Sequence, residues 1–276
     1  MSRIASIFAD PRHKALIAYV TMGYPNMEET LQVVPRLASC GCDAVELGIP
    51  FSDPLADGAT IQEASHVALQ GGVTPQKCLE EAARLRDLVD VPLLFMTYFN
   101  PVLSFGPERF CRAASKAGID GLIITDMPPE EGEDVELSAV KEGLDLVYLL
   151  APTSTEERVR LVTQRSRGFI YLVSVTGVTG ARKQLPEYLE QFVARVKKVA
   201  SQPLCVGFGI SSGALARRAA RVADGVVVGS RLVQFMRDGQ SQGLESFVKG
   251  LRGALDNVGQ PDSCKDRAQG HNRGYQ

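Results

Sequence analysis

The chain lacks what several broad classes of protein require. No uninterrupted apolar stretch approaches the about 18 residues of a membrane-crossing helix, so no membrane association is expected. The N-terminus, Met-Ser-Arg-Ile-Ala-Ser-Ile-Phe-Ala-Asp, has no long apolar core of a secretion signal. A cytoplasmic location is therefore expected, or the plastid stroma if the source is a plant, although no transit peptide is read. There is no cationic excess: 30 Lys and Arg against 32 Asp and Glu give a net charge of -2, which argues against a nucleic-acid partner. Histidine is scarce, with only His13, His66 and His271. The six cysteines (Cys40, Cys42, Cys78, Cys111, Cys205, Cys264) form no C-x-x-C pair. Cys40 and Cys42 flank Gly41 with no second pair at metal-ligand spacing, so no metal site is expected. The cysteines read as small buried hydrophobes in a reducing compartment.

What is present is a repeating order of elements. A length of 276 residues, 45% hydrophobic and 22% charged, suits one α/β barrel. Eight short β-branched runs are strand candidates: residues 16–21, 44–47, 92–97, 121–125, 146–150, 170–173, 204–207 and 225–228. They are almost wholly apolar and do not alternate, as parallel strands buried on both faces require. Helical spacing separates them, as at 27–39 (Leu31, Val34, Leu37), 155–165 (Val159, Val162) and 191–200 (Phe192, Val193, Val196, Val199). Strand and helix repeated eight times predict a single (β/α)8 TIM barrel. Residues 2–9 form an expected extra N-terminal helix plugging its bottom. The barrel domain is expected over 1–258, followed by a polar, disordered tail over 259–276.

In this fold chemistry lies at the C-terminal strand ends. There the segment VELGIPFSDPLADGATIQ (45–62) puts Glu46 inside an apolar strand. An outward Glu46 would bury a charge under helices. An inward one would sit in an apolar lining, with a raised pKa suited to acid–base work. A buried pairing with a Lys or Arg elsewhere is the competing reading. Asp53 and Asp57 follow in the loop; Asp-Pro and Asp-Gly are also ordinary turn dipeptides. Together with Glu46, however, Asp57 would make two carboxylates that divide acid and base roles, with Asp57 expected ionised in a wetter loop. Glycine-rich turns end three consecutive strands: 177–180, 207–211 and 229–230. Such turns aim N–H groups at an anion, so a phosphate is expected, without need of Lys or Arg. Tyr98, Ile123, Leu149, Tyr171, Phe208 and Val227 fall at strand ends and would wall a flat apolar ring.

Seven blocks in one order carry a resemblance: ELGIPFSDPLADGATIQ, MTYFNPVLSFG, GLIITDMPPEE, APTST, SVTGVTGAR, VGFGIS and GVVVGSRLV. Over about residues 4–258 the chain resembles the tryptophan synthase α chain family. That resemblance implies a retro-aldol lyase, cleaving indole-3-glycerol phosphate to indole and glyceraldehyde 3-phosphate in L-tryptophan biosynthesis. It implies no cofactor in this chain. It implies a partner, the pyridoxal-phosphate-dependent β chain, in an allosteric α2β2 complex with an indole tunnel. By the same resemblance, Glu46 and Asp57 are catalytic and Tyr171 lies near the carboxylates. Thr179 belongs to a mobile loop expected to close on Asp57. Gly180, Phe208, Gly209, Gly229 and Ser230 bind phosphate, and Met96, Tyr98, Ile123, Thr125, Leu149 and Val227 form the indole pocket. Asp53 and Pro54 fall near the expected β-chain interface. Ala59 departs from the family, which often has proline there, and would loosen the loop holding Asp57. A sugar-phosphate isomerase on the same scaffold is disfavoured because residues 18–21 (Ala-Tyr-Val-Thr) end strand one without an acid. A stand-alone indole-releasing lyase and a mainly regulatory subunit stay open as alternatives.

Overall fold

The computed structural model describes residues 1–173, 188–207 and 209–258. In chain order the elements are α1 (Arg3–Ser6), β1 (Ala15–Thr21), α2 (Met27–Ser39), β2 (Ala44–Gly48), α3 (Ala59–Gln70), α4 (Pro75–Leu88), β3 (Leu93–Thr97), α5 (Phe99–Phe105) and α6 (Pro107–Lys116). Then come β4 (Gly121–Ile124), α7 (Glu133–Lys141), β5 (Asp145–Val147), β6 (Leu149–Leu150), α8 (Glu156–Arg165), β7 (Ile170–Val173) and α9 (Leu189–Lys197). The chain continues through β8 (Leu204–Gly207), α10 (Gly213–Ala220), β9 (Gly225–Val228), α11 (Ser230–Arg237) and α12 (Ser241–Asp256).

Helix starts follow local chemistry. Asn26 accepts the Glu29 N–H at 2.9 Å to open α2, and Glu28 and Glu29 sit at its positive end. Thr74 caps α4 with Pro75 in its first turn, and Thr155 caps α8 ahead of Glu156 and Glu157. Ala59 is the first residue of α3, so the loop carrying Asp57 ends at Gly58 and the helix opens without proline.

Every strand pair is parallel, in the order β5-β4-β3-β2-β1-β9-β8-β7-β6. The β1–β9 pair joins the two ends of the sequence, which gives the barrel. The expected fifth strand over 146–150 is split at Tyr148, giving nine segments instead of eight among the described residues. The reason lies in Tyr148, whose N–H is taken by the Ser166 hydroxyl at 3.1 Å and whose own hydroxyl donates to Glu136 on α7 at 2.5 Å. β5 pairs with β4 and β6 with β7 on either side of this interruption. At the other end of the strands, α1 buries Ile4 completely. A Cβ on Gly121, which opens β4, would lie 2.7 Å from the Ile4 side chain, so the N-terminal plug is where the sequence places it. Cys40, Cys42, Cys78, Cys111 and Cys205 are buried free thiols, and Cys264 lies outside the described residues.

Candidate active site

Register decides which way Glu46 faces. Tyr19 of β1 lines a cavity at the barrel mouth and stands opposite Glu46 of β2. Side chains of paired residues in adjacent parallel strands share a face, so Glu46 points inward too. It is wholly buried, and neither carboxyl oxygen has a hydrogen-bond partner. No Lys or Arg pairs with it among the described residues, which disposes of the ion-pair reading. Burial alone pushes its pKa up to about 8, because an uncompensated carboxylate in an apolar interior is costly. Tyr19, Tyr171 and Cys205 lie close enough that a charge on Glu46 would hold back their ionisation.

Two glycines make room for those tyrosines. A Cβ on Gly48 would strike the Tyr19 hydroxyl, and one on Gly207 would strike that of Tyr171. Gly207, read from the sequence as part of an anion turn, therefore serves the packing of a tyrosine ring.

Asp57 corrects one expectation. Its loop is not wet around it: Asp57 is 7% exposed, and burial raises its pKa to about 6. The Tyr98 hydroxyl donates to Asp57 Oδ2 at 3.0 Å, which opposes that rise. The burial comes from residues distant in sequence that the turn dipeptides do not announce. Gln62 on α3 donates to the Asp57 carbonyl at 2.9 Å, tying the loop to the helix that follows.

The mouth cavity measures about 700 Å³. Of the expected site residues, Asp57, Met96, Thr125, Leu149, Tyr171, Gly209, Val227, Gly229 and Ser230 line it together. Glu46, Tyr98 and Ile123 are buried but do not form its wall. Thr179, Gly180 and Phe208 lie outside the described residues. The side expected to take an anion follows β8 and β9, which are neighbours in the sheet. Gly209 has φ +91 with nothing near its missing Cβ, and Gly229 precedes α11. The ladder of α11 begins with the Leu232 and Val233 N–H groups on the Gly229 carbonyl, at 2.7 and 3.1 Å; the Ser230 and Arg231 N–H groups lie ahead of it, at the positive end of the helix dipole.

Sequence reading missed several wall residues, including Tyr19, Asp126, Met127, Tyr148 and Arg231. Tyr19 was in reach: it is an aromatic in strand one at Glu46's register. Asp126 was masked by a second duty, since its Oδ1 accepts the Phe99 N–H at 2.6 Å.

The fold and the mouth thus define a parallel β/α barrel whose apolar, acid-bearing pocket adjoins glycine turns and the N-terminus of α11. Comparison with known proteins narrows this. The family model described as tryptophan synthase alpha chain matches residues 7–256. The tryptophan synthase alpha chain of Dehalococcoides mccartyi is 52% identical over 257 residues, covering 93% of this chain and all of that protein. That of Geobacter sulfurreducens is 46% identical over 264 residues, covering 93% and 100%. Among solved structures, the alpha chain from Legionella pneumophila superposes with a TM-score of 0.85 at 34% identity, covering 95% of this chain and 100% of that one. A Mycobacterium tuberculosis tryptophan synthase structure gives 0.85 at 37% identity, covering 92% and 96%. The chain belongs to the tryptophan synthase α chain family.

Proposed function

We propose that this chain is a carbon–carbon lyase, with residues 1–258 as its catalytic domain, that cleaves indole-3-glycerol phosphate to indole and glyceraldehyde 3-phosphate. The observation that carries the reading is a wholly buried, unpaired, inward-facing Glu46 beneath a cavity whose wall includes Asp57. Cleavage needs a proton on the indole carbon that leaves and loss of a proton from the adjacent side-chain hydroxyl, which becomes the aldehyde. Glu46, protonated at neutral pH, delivers the first; its carboxylate then accepts the second, so the residue returns to its starting state. Asp57, ionised above about pH 6, accepts the indole N–H and offsets the positive charge that ring protonation creates. The 209–211 and 229–231 turns hold the phosphate and fix the substrate's orientation. Because Glu46 is shut off from the cavity, its side chain must turn toward the mouth for the transfer.

No cofactor is needed for these steps, and pyridoxal phosphate belongs to the expected partner β chain. The experiment is indole release from indole-3-glycerol phosphate, with and without a β chain. Release that rises with the β chain supports an α subunit. Release that is fast alone and indifferent to it favours a stand-alone lyase. No release in either condition, with β-chain turnover still stimulated, leaves only the regulatory role.

A further inference from the structure

Tyr98 was expected in the wall of the aromatic pocket, yet it is buried behind it. It follows β3 directly and stands as the N-cap residue of α5. Three contacts run from it into the 51–58 loop. The Tyr98 ring stacks on Phe51 with centroids 5.1 Å apart and planes 30° from parallel. The Tyr98 hydroxyl accepts the Ala56 N–H at 3.1 Å and donates to Asp57 Oδ2 at 3.0 Å. Accepting from one residue and donating to the next uses the hydroxyl in both directions and fixes where its proton points. We propose that Tyr98 is a positioning residue: a rigid post on the barrel frame that holds the 51–58 loop and aims the Asp57 carboxylate at the cavity. This inference rests on the lyase reading and deepens it.

The surroundings of Asp57 make the post measurable. Its charge bears on three hydroxyls, those of Tyr19 from β1, Tyr171 from β7 and Tyr98, and holds back their ionisation. In the other direction burial raises the Asp57 pKa, and the hydrogen bond from Tyr98 opposes that rise by favouring the ionised carboxylate.

The test compares Tyr98→Phe, which keeps the stacked ring, with 3-fluorotyrosine placed at position 98, which keeps the ring and donates more strongly. Tyr98→Phe is expected to lower kcat about tenfold with KM nearly unchanged. Its acid limb should move up by about one pH unit. The fluorinated residue should move the same limb down. Added to Asp57→Asn, Tyr98→Phe should cost nothing further, because the post then has no carboxylate to aim. An acid limb fixed in both variants, additive losses in the double variant, or a raised KM with kcat intact would overturn the proposal. Carbon-13 NMR titration of the Asp57 carboxyl, assigned by its loss in Asp57→Asn, reads the same link without turnover. A chain that releases no indole would thus sink the lyase reading and leave the Tyr98–Asp57 coupling to be judged separately: a carboxyl pKa unmoved by Tyr98→Phe would refute it.

Discussion

Glu46 links composition to chemistry through one energetic fact, the cost of an ion in an apolar interior. Its proton is held to about pH 8, while that of Asp57 is lost above about pH 6. The proposed mechanism requires the first protonated and the second ionised, so turnover should plateau between these values and fall on both sides, as a pH profile of kcat would show. Glu46→Gln should cut indole release by at least about 100-fold; near-normal turnover by the folded variant would remove Glu46 from the mechanism. The sign of the stability effect is also fixed. Between the ordinary carboxyl value of 4.5 and about 8, the unfolded chain has lost this proton and the folded chain keeps it. The unfolded state binds fewer protons there, so wild-type stability declines as pH rises through that window. Glu46→Gln removes the penalty and should be more stable at pH 8.5, by up to a few kcal/mol, while the difference shrinks toward pH 4. Melting curves at the two pH values check this. Glu46 was legible because a charge in a doubly buried strand demands a reason. The burial of Asp57 was not, because its side-chain partner, Tyr98, lies 41 residues away, which turn dipeptides cannot encode.

At the scale of elements, three aspartates repeat one device. Asp43, Asp120 and Asp224 stand just ahead of β2, β4 and β9. Each donates its N–H to the carbonyl of a residue opening the preceding strand (Leu16, Leu93 and Leu204), all at 2.8 Å. Each carboxylate then accepts that same residue's N–H, at 2.7, 2.9 and 2.9 Å. These two-point tethers sit opposite the cavity, so replacing them tests stability apart from chemistry. Each Asp→Ala change should lower unfolding free energy by about 1–3 kcal/mol and leave kcat nearly intact, as urea titration and an indole assay would show. Asp43 and Asp120 should cost most, because Asp43 also pairs with Arg252 at 3.0 Å and His13 at 2.8 Å and Asp120 with Arg3 and Arg86 at 3.3 Å, whereas Asp224 has only longer lysine contacts at 3.5 and 4.0 Å. Equal, negligible losses at all three positions would mean the tethers carry no net stability. The strands themselves were legible from apolar runs. The split at Tyr148 was not, since its causes, Ser166 and Glu136, lie on other elements.

For the whole molecule, the loop that brings Asp57 to the cavity also exposes an apolar side chain. Leu55 is 83% exposed, although its backbone is held in a tight turn, with the Leu55 N–H on the Asp53 carbonyl at 2.8 Å and the Asp57 N–H on that of Pro54 at 3.0 Å. A large aliphatic group fixed in water gains free energy when a partner covers it, on the order of 2 kcal/mol for full burial. The same turn fixes the distance between Leu55 and Asp57, so a β chain seated on Leu55 would restrain the carboxylate that Tyr98 holds from behind. On the proposed α-subunit reading, stimulation by the partner would then have a physical route: it would narrow the positions open to Asp57 without adding a catalytic group. Leu55→Ser should therefore raise the β-chain concentration needed for half-maximal stimulation by about tenfold or more, and lower the ratio of indole release with the partner to release without it. Titrating the β chain against wild type and variant measures both quantities. Equal half-saturation and an equal ratio would show that the partner acts on this barrel from some other face.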